Sequence, residues 1–436
     1  MSRVVEHYGR AKGSLAGGVS SSTRLNRALG HPLYLAKGEG CRVWDLDGRE
    51  YYDLCCSHGA TLLGHGDPRI TAAVQQALAA GACCSYENEV QAELAELLCQ
   101  TIPSFERVRF TGSGTEATMH TIRLARAFTG RTKLLKIEGN FHGYHDQVMY
   151  SIGAPADKLG SESAPNAWPA SSGMTPGLDK ELILVPYDRT DLLVEAIRKH
   201  GHELAAVICE PVFYNAGCII PTKEFMQAMR DETRRAGVLL IYDEIQSAFR
   251  MAPGGAQEYF GITPDLSTVG KAVGGGYPLS VFGGRADVMQ RLMPDGDCQH
   301  SGTYNGHPVI VAAALAALKI YRSPGFYEHI RQTAEHLYGG MNNIFAERGI
   351  PGKVRGLGAR FGIYMGVEGE PHSYRDAVKH NRKLMLEFIA ASIARGVYFH
   401  DYGGGACHHG FCAAMTPADV DAALGRIDEA VQTLKV

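Results

Sequence analysis

Between residues 108 and 271 the chain keeps returning to one unit: a short apolar run, then a glycine or a reactive side chain, then a helical pattern. Val108-Arg-Phe110 leads to Gly112-Ser-Gly-Thr115, Lys133-Leu-Leu-Lys-Ile137 to Glu138-Gly139, and Leu204-Ala-Ala-Val-Ile-Cys209 to Glu210-Pro211. Val238-Leu-Leu-Ile-Tyr242 leads to Asp243, and Asp265-Leu-Ser-Thr-Val-Gly270 to Lys271. Helical spacing fills the intervals and the stretch ahead of them; Val90, Leu94, Leu97 and Leu98 share one face. Such alternation predicts an α/β fold with a mostly parallel sheet covered on both sides by helices.

In open α/β sheets ligands collect beyond the carboxyl ends of the strands. Two of these ends offer the Lys271 amine and the Asp243 carboxylate to one crevice. That pair suits pyridoxal phosphate, which needs a lysine for its Schiff base and an acid for its pyridinium nitrogen. Gly112-Ser-Gly-Thr-Glu-Ala117 opens a helix after a strand, where free N–H groups and the helix dipole make a phosphate seat. It has neither the third glycine of a dinucleotide fingerprint nor the spacing of a P-loop. Phe141, just past a strand, can stack on a flat ring. Ile245 can cover the other face, and Gln246 can donate to a ring oxygen.

The chain's 436 residues allow two domains and a large core, and its 45% hydrophobic content excludes a disordered chain. Forty-three basic against 46 acidic residues predict neither a nucleic-acid surface nor a membrane-binding face. The N-terminus lacks the apolar core of a signal peptide, and the longest apolar stretch, Val309 to Leu318, reads as a buried helix. A cytoplasmic protein is the expectation. Eleven cysteines without a secretory signal argue against a disulfide framework. Cys407-His408-His409-Gly-Phe-Cys412 resembles half a metal site but has no second half, so no metal is expected.

The stretch from Gly153 to Pro176 is rich in Gly, Ala, Ser and Pro, as active-site lids often are. The expected organisation is an N-terminal segment, residues 1–60, packing with a small domain. A large cofactor-binding domain spans 61–310, and a C-terminal α+β small domain spans 311–436.

Asp243-Glu-Ile-Gln-Ser-Ala-Phe-Arg250, Ser267-Thr-Val-Gly-Lys-Ala-Val-Gly-Gly-Gly276, the Gly112 loop and Ser301-Gly-Thr-Tyr-Asn-Gly-His-Pro308 together resemble the class III, fold-type-I pyridoxal-phosphate aminotransferases. The likeness covers nearly the whole chain. Gly17-Gly-Val-Ser-Ser-Ser-Thr-Arg24 and the lid after Ser151 resemble the glutamate-1-semialdehyde aminomutase-like branch. The resemblance implies a seven-stranded sheet of that fold type and assigns roles. Lys271 carries the cofactor and shuttles the proton; Asp243 partners the pyridinium. Ser113, Gly114 and Thr115 hold the phosphate, and Phe141 and Ile245 sandwich the ring. His142, Glu210 and Gln246 join the cofactor contacts. Thr303 reaches the phosphate of a neighbouring subunit, which implies a homodimer. Arg24 binds the substrate carboxylate.

The chain also departs from that branch. Its late loop, Asp401-Tyr-Gly-Gly-Gly-Ala-Cys-His-His-Gly-Phe411, lacks the branch's glutamate, His58 stands where the branch has tryptophan, and Gln246 resembles ornithine- and ω-amino-acid-type members. These departures favour an aminotransferase whose carboxylate-bearing substrate, a β- or aromatic amino acid, enters a pocket near His58 and Tyr402. Its partner is a keto acid or aldehyde acceptor. The alternative is an intramolecular aminomutase of the glutamate-1-semialdehyde type. A non-catalytic descendant is a third reading, opposed by the joint presence of Lys271, Asp243 and the phosphate loop.

Overall fold

The computed structural model describes residues 2–81 and 83–435. Seven strands form its central sheet: β1 (Arg107–Thr111), β2 (Lys133–Ile137), β3 (Leu182–Val185), β4 (Leu204–Cys209), β5 (Leu239–Glu244), β6 (Leu266–Val269) and β7 (Ser280–Gly284). Their order across the sheet is β3-β2-β4-β5-β6-β7-β1. From β3 to β6 every neighbouring pair is parallel; β7 is antiparallel to both β6 and β1. Two antiparallel steps restore the original direction, so β1 ends on the same edge as β2, β4, β5 and β6. That edge is where all the reactive strand ends meet.

β4 is apolar throughout and buried along its whole length, as a strand covered by helices on both faces must be. Helices Thr190–His200 and Lys223–Ala236 connect β3 to β4 and β4 to β5, and helix α1 (Gly114–Thr129) follows β1. The alternation in the sequence therefore marks real strands. Two strands escaped it, β3, Leu-Ile-Leu-Val, which follows the Gly153–Pro176 stretch, and β7. β7 reads Ser-Val-Phe-Gly-Gly, too short and glycine-rich to announce itself. Its glycines serve close approach: a Cβ on Gly284 would lie 2.2 Å from the Asp265 carbonyl oxygen. The apolar run ending at Tyr242 also extends further than expected, because Asp243 and Glu244 are themselves the last residues of β5.

Strands Leu35–Glu39, Arg42–Asp45 and Glu50–Asp53 form a second sheet with Val397–Tyr398, in which Val397 pairs with Tyr52. Early and late segments of the chain thus share one sheet. Gly352–Leu357, Arg360–Met365 and His409–Gly410 make a third. The apolar stretch from Val309 lies in helix Pro308–Tyr321 and is largely buried. Among the described residues no single helix is long and apolar enough to cross a membrane. The Gly153–Pro176 stretch holds only a 3-10 turn at Ala156–Lys158 and a short antiparallel pair, Gly160–Ser161 with Ala164–Pro165. Arg375 fastens it by donating to the Gly160 carbonyl (2.9 Å) and the Ser161 carbonyl (3.1 Å) while ion-paired with buried Glu138 (2.8 Å).

Beyond β5 the chain is pinned by Glu244, 1% exposed. Its carboxyl oxygens accept from Ala256 N (2.6 Å), Gln257 N (3.1 Å), Gln257 Nε2 (3.0 Å) and Ser247 Oγ (2.9 Å). It thereby caps helix Gly255–Phe260 from a distance. Glu244→Ala strands these donors in a dry environment, which costs about 3 kcal/mol. Its thermal unfolding midpoint is expected to fall by several degrees; an unchanged midpoint would remove the anchoring role.

Candidate active site

The strand ends enclose a cavity of about 200 Å³ lined by Gly114, Thr115, Phe141, Asp243, Ile245 and Lys271, together with His142, Glu210, Asn215 and Gln246. Most of the residues expected at the cofactor meet here. Asp243 is 4% exposed and accepts three hydrogen bonds. Its Oδ2 accepts from His142 Nδ1 at 2.8 Å; its Oδ1 accepts from Thr268 Oγ1 at 3.0 Å and Ile245 N at 3.1 Å. Burial holds the His142 imidazole below its ordinary pKa, so the ring is neutral, with Nδ1–H donating and Nε2 left without a partner.

Lys271 opens a 3-10 turn with φ +48°, a left-handed conformation that a side-chain-bearing residue adopts only when its surroundings hold it there. Burial is the main cause that lowers its amine to about 8; Asp243 opposes the shift, and the charges of Arg360 and Arg250 add to it. Glu210 takes Phe141 N (2.7 Å) and Asn215 Nδ2 (2.8 Å), and burial pushes its carboxyl up to about 8. It therefore fixes the backbone that carries Phe141.

At the N-terminus of α1, the Ser113 hydroxyl accepts from Glu116 N (3.3 Å) while Glu116 Oε2 accepts from Gly112 N (2.7 Å) and Ser113 N (3.1 Å). Glu116 thus supplies an anion to the two N–H groups just ahead of the helix, and Ser113 works as its cap. Gly114 and Thr115, which line the cavity, keep their N–H groups for an external anion. Thr303 is exposed and lies outside this cavity.

A second cavity, about 380 Å³, is lined by Arg24, His58 and His400 and by the apolar side chains of Leu15, Val19, Leu33 and Val43. His58 sits in a left-handed turn, with φ +50°, +53° and +55° at Cys56, Ser57 and His58. Its Nδ1 is 2.7 Å from Tyr402 Oη. Burial, then the charges of His400, Arg360, Lys271 and Arg24, lower its imidazole to about 3. The structure thus gathers Arg24, His58 and Tyr402 beside the Lys271 cavity. Sequence reasoning missed Asn215, His400 and Arg360. The first is an ordinary loop amide, and the other two lie far along the chain with no motif around them.

The residues fit pyridoxal phosphate. An amine and a carboxylate face one cavity, helix N–H groups are free at one end, and Gln246 Oε1 and His142 Nε2 are buried polar atoms without partners. Space for the ring is kept by glycine: a Cβ on Gly270 would lie 2.7 Å from both Ile245 Cδ1 and Ser280 Oγ. Among the described residues no group of three or more His, Cys, Asp or Glu is placed to hold a metal ion.

The sequence pattern of the family described as aminotransferase class-III matches residues 26–431. Glutamate-1-semialdehyde 2,1-aminomutases are among the relatives. The enzyme of Methanosarcina acetivorans is 38% identical over 90% of each chain, and that of Bordetella avium is 38% identical over 100% of each. Among solved structures, an omega-transaminase from Sphaerobacter thermophilus superposes with a TM-score of 0.93 at 32% identity, covering 99% of this chain and 97% of its own. A beta-phenylalanine aminotransferase from Variovorax paradoxus superposes at 0.86 and 30% identity, covering 98% and 92%.

Borohydride reduction of the purified protein is expected to leave a stable cofactor adduct on Lys271, located by peptide mapping; an adduct on another lysine would overturn the assignment. Asp243→Asn keeps the shape but loses the charge that would partner a pyridinium nitrogen in this cavity. Since each pKa unit there corresponds to roughly 1.4 kcal/mol, steady-state turnover should drop by at least about a hundredfold, and a near-normal rate would make the carboxylate structural.

Proposed function

The chain belongs to the class-III aminotransferases, its cofactor is pyridoxal 5′-phosphate, and from that premise we propose that it moves an amino group from a carboxylate-bearing amino acid with an apolar or aromatic body to a keto acid or aldehyde. The observation that carries this reading is the second cavity, in which Leu15, Val19, Leu33, Leu35 and Val43 lie beside Arg24, its guanidinium, with Asp53 already braced by His65 and with His58 within the charge field of Lys271. An apolar lining favours an apolar substrate body, and a guanidinium fork favours a carboxylate.

When bound, the cofactor supplies a carbonyl that condenses with amines and a ring that accepts the electron pair released beside it. The chain's residues do the rest. Gly114 and Thr115 N–H groups hold the phosphate, and Phe141 and Ile245 flank the ring. Asp243 keeps a proton at the ring nitrogen and is itself oriented by His142 and Thr268. Lys271 Nζ, with its pKa near 8, is partly unprotonated at neutral pH. It can therefore take a proton from the substrate carbon and return it one atom away. Arg24 receives the carboxylate, His58 and Tyr402 shape the wall between the cavities, and Gln246 donates to the ring oxygen. In the homodimer that completes this reading, exposed Thr303 meets the neighbouring subunit's phosphate.

A second reading is intramolecular transfer of the glutamate-1-semialdehyde aminomutase type. The names of the curated relatives support it better than they support the first. The two differ in one requirement. Aminotransferase turnover stops after one equivalent without an added carbonyl acceptor, whereas an aminomutase cycles on a single substrate. Sustained turnover of glutamate-1-semialdehyde alone would decide for the second. Arg24→Ala is expected to raise KM for carboxylate substrates by tenfold or more, as loss of a charge-assisted contact of about 2 kcal/mol implies. It should leave simple amines nearly unaffected; equal effects on both classes would return Arg24 to a surface role.

A further inference from the structure

β7 runs against both of its neighbours, so its first residue, Ser280, stands where they end. On one side Ser280 pairs with Thr111, the last residue of β1, directly ahead of the Gly112 loop. On the other side Val281 pairs with Val269 of β6, which sets Ser280 opposite Gly270, the residue before Lys271. Ser280 therefore lies between the lysine and the loop whose N–H groups are open to an anion. Thr111 Oγ1 fastens this junction, donating to the Ser280 carbonyl (3.3 Å) and the Ser113 carbonyl (3.2 Å).

Ser280 is 3% exposed and lines the Lys271 cavity. Its backbone is paired in the sheet, but its hydroxyl bonds to none of the described residues and is not sealed off from the cavity either. Ile245 locates that hydroxyl further. A Cβ on Gly114 would lie 3.1 Å from Ile245 Cδ1, and a Cβ on Gly270 would lie 2.7 Å from the same atom and 2.7 Å from Ser280 Oγ. Gly114, Gly270 and Ser280 are thus gathered about one methyl group. Asp243, on β5, is two strands away across the sheet.

We propose that Ser280 is a phosphate-binding residue, donating Oγ–H to a phosphate oxygen of the cofactor alongside the Gly114 and Thr115 N–H groups. The helix terminus supplies donors from its own side only, and Ser280 adds one from the sheet. An O–H bond to a charged oxygen is strengthened by that charge, and a hydroxyl brings no charge of its own to compete with Lys271. This rests on the cofactor assignment and holds whether the amino group passes between two molecules or within one.

The test is spectroscopic titration of the full-length chain, freed of cofactor, with pyridoxal phosphate and with pyridoxal, which shares the ring and aldehyde but has no phosphate. Ser280→Ala removes one atom and should weaken pyridoxal phosphate by about tenfold or more, the loss expected of one hydrogen bond to a charged oxygen. Pyridoxal should bind as it does to the wild type. Inorganic phosphate, which needs neither the ring nor Lys271, should compete with pyridoxal phosphate less well in Ser280→Ala, its inhibition constant rising by a similar factor. Ser280→Cys keeps the shape with a weak donor and should lose most of the same affinity. Unchanged affinity for pyridoxal phosphate in Ser280→Ala overturns the proposal. Equal weakening of pyridoxal phosphate and pyridoxal also overturns it, because the hydroxyl would then serve Lys271 or the ring. Full affinity in Ser280→Cys overturns it as well, reducing Ser280 to packing. If pyridoxal binds too weakly to titrate, the inorganic phosphate constants decide in its place. Each of these results leaves the cofactor and the amino-transfer reading standing.

Discussion

The Asp243 carboxylate is the contact on which the rest of the site depends. It receives one donor from the loop after β2, one from the backbone just past β5 and one from the β6 side chain Thr268. Three separate stretches of chain are thereby tied to one buried charge, and each later feature is placed relative to that knot. A charged acceptor with three donors in a dry setting is stronger and better oriented than a free one. The knot exists because the parallel strands end on one edge, so it is a consequence of topology before it is a matter of chemistry.

Left-handed backbone at non-glycine residues recurs near that knot, as it does at Ser151, Asp188, Cys218 and Phe249 elsewhere. Lys271, Tyr402 and the run Cys56-Ser57-His58 all have positive φ without being glycine. Each such residue costs roughly 1–3 kcal/mol, so the surroundings must hold it. At the Cys56 turn the holder is visible: Asp53 Oδ1 accepts from Cys55 N (2.9 Å) and Cys56 N (3.0 Å), while Asp53 Oδ2 is braced by His65 Nε2 (2.8 Å). The turn aims His58 at Tyr402, whose Oη lies 2.7 Å from its Nδ1.

How legible this was in the sequence depended on how local the cause was. Lys271, Asp243 and the Gly112 loop could be read because a strand end is a local pattern and the chemistry of an amine and an acid is specific. The central strands that alternate with helices could be read for the same reason. β7 could not, since its short, glycine-rich run is set by how closely β1 and β6 approach it. The job of Ser113 was hidden in a reciprocal cap, its hydroxyl accepting from Glu116 N while the Glu116 carboxylate accepts from Ser113 N. Arg360 and His408 meet only because strands Arg360–Met365 and His409–Gly410 pair, although the two residues are 48 positions apart. No spacing rule reaches across such a distance.

The titrating groups converge to a degree their sequence gives no hint of. Burial lowers Lys271 to about 8 and Lys136 to about 7, and it raises Glu210 to about 8. Acid and amine values that differ by about six units in water are drawn together because each group sheds the form that water would have stabilised. Proton movement between carbon and a nearby base is fastest when neither state is strongly preferred. Burial around Lys271 therefore does more than exclude solvent. The same desolvation leaves Lys271 Nζ able to exchange a proton near neutral pH.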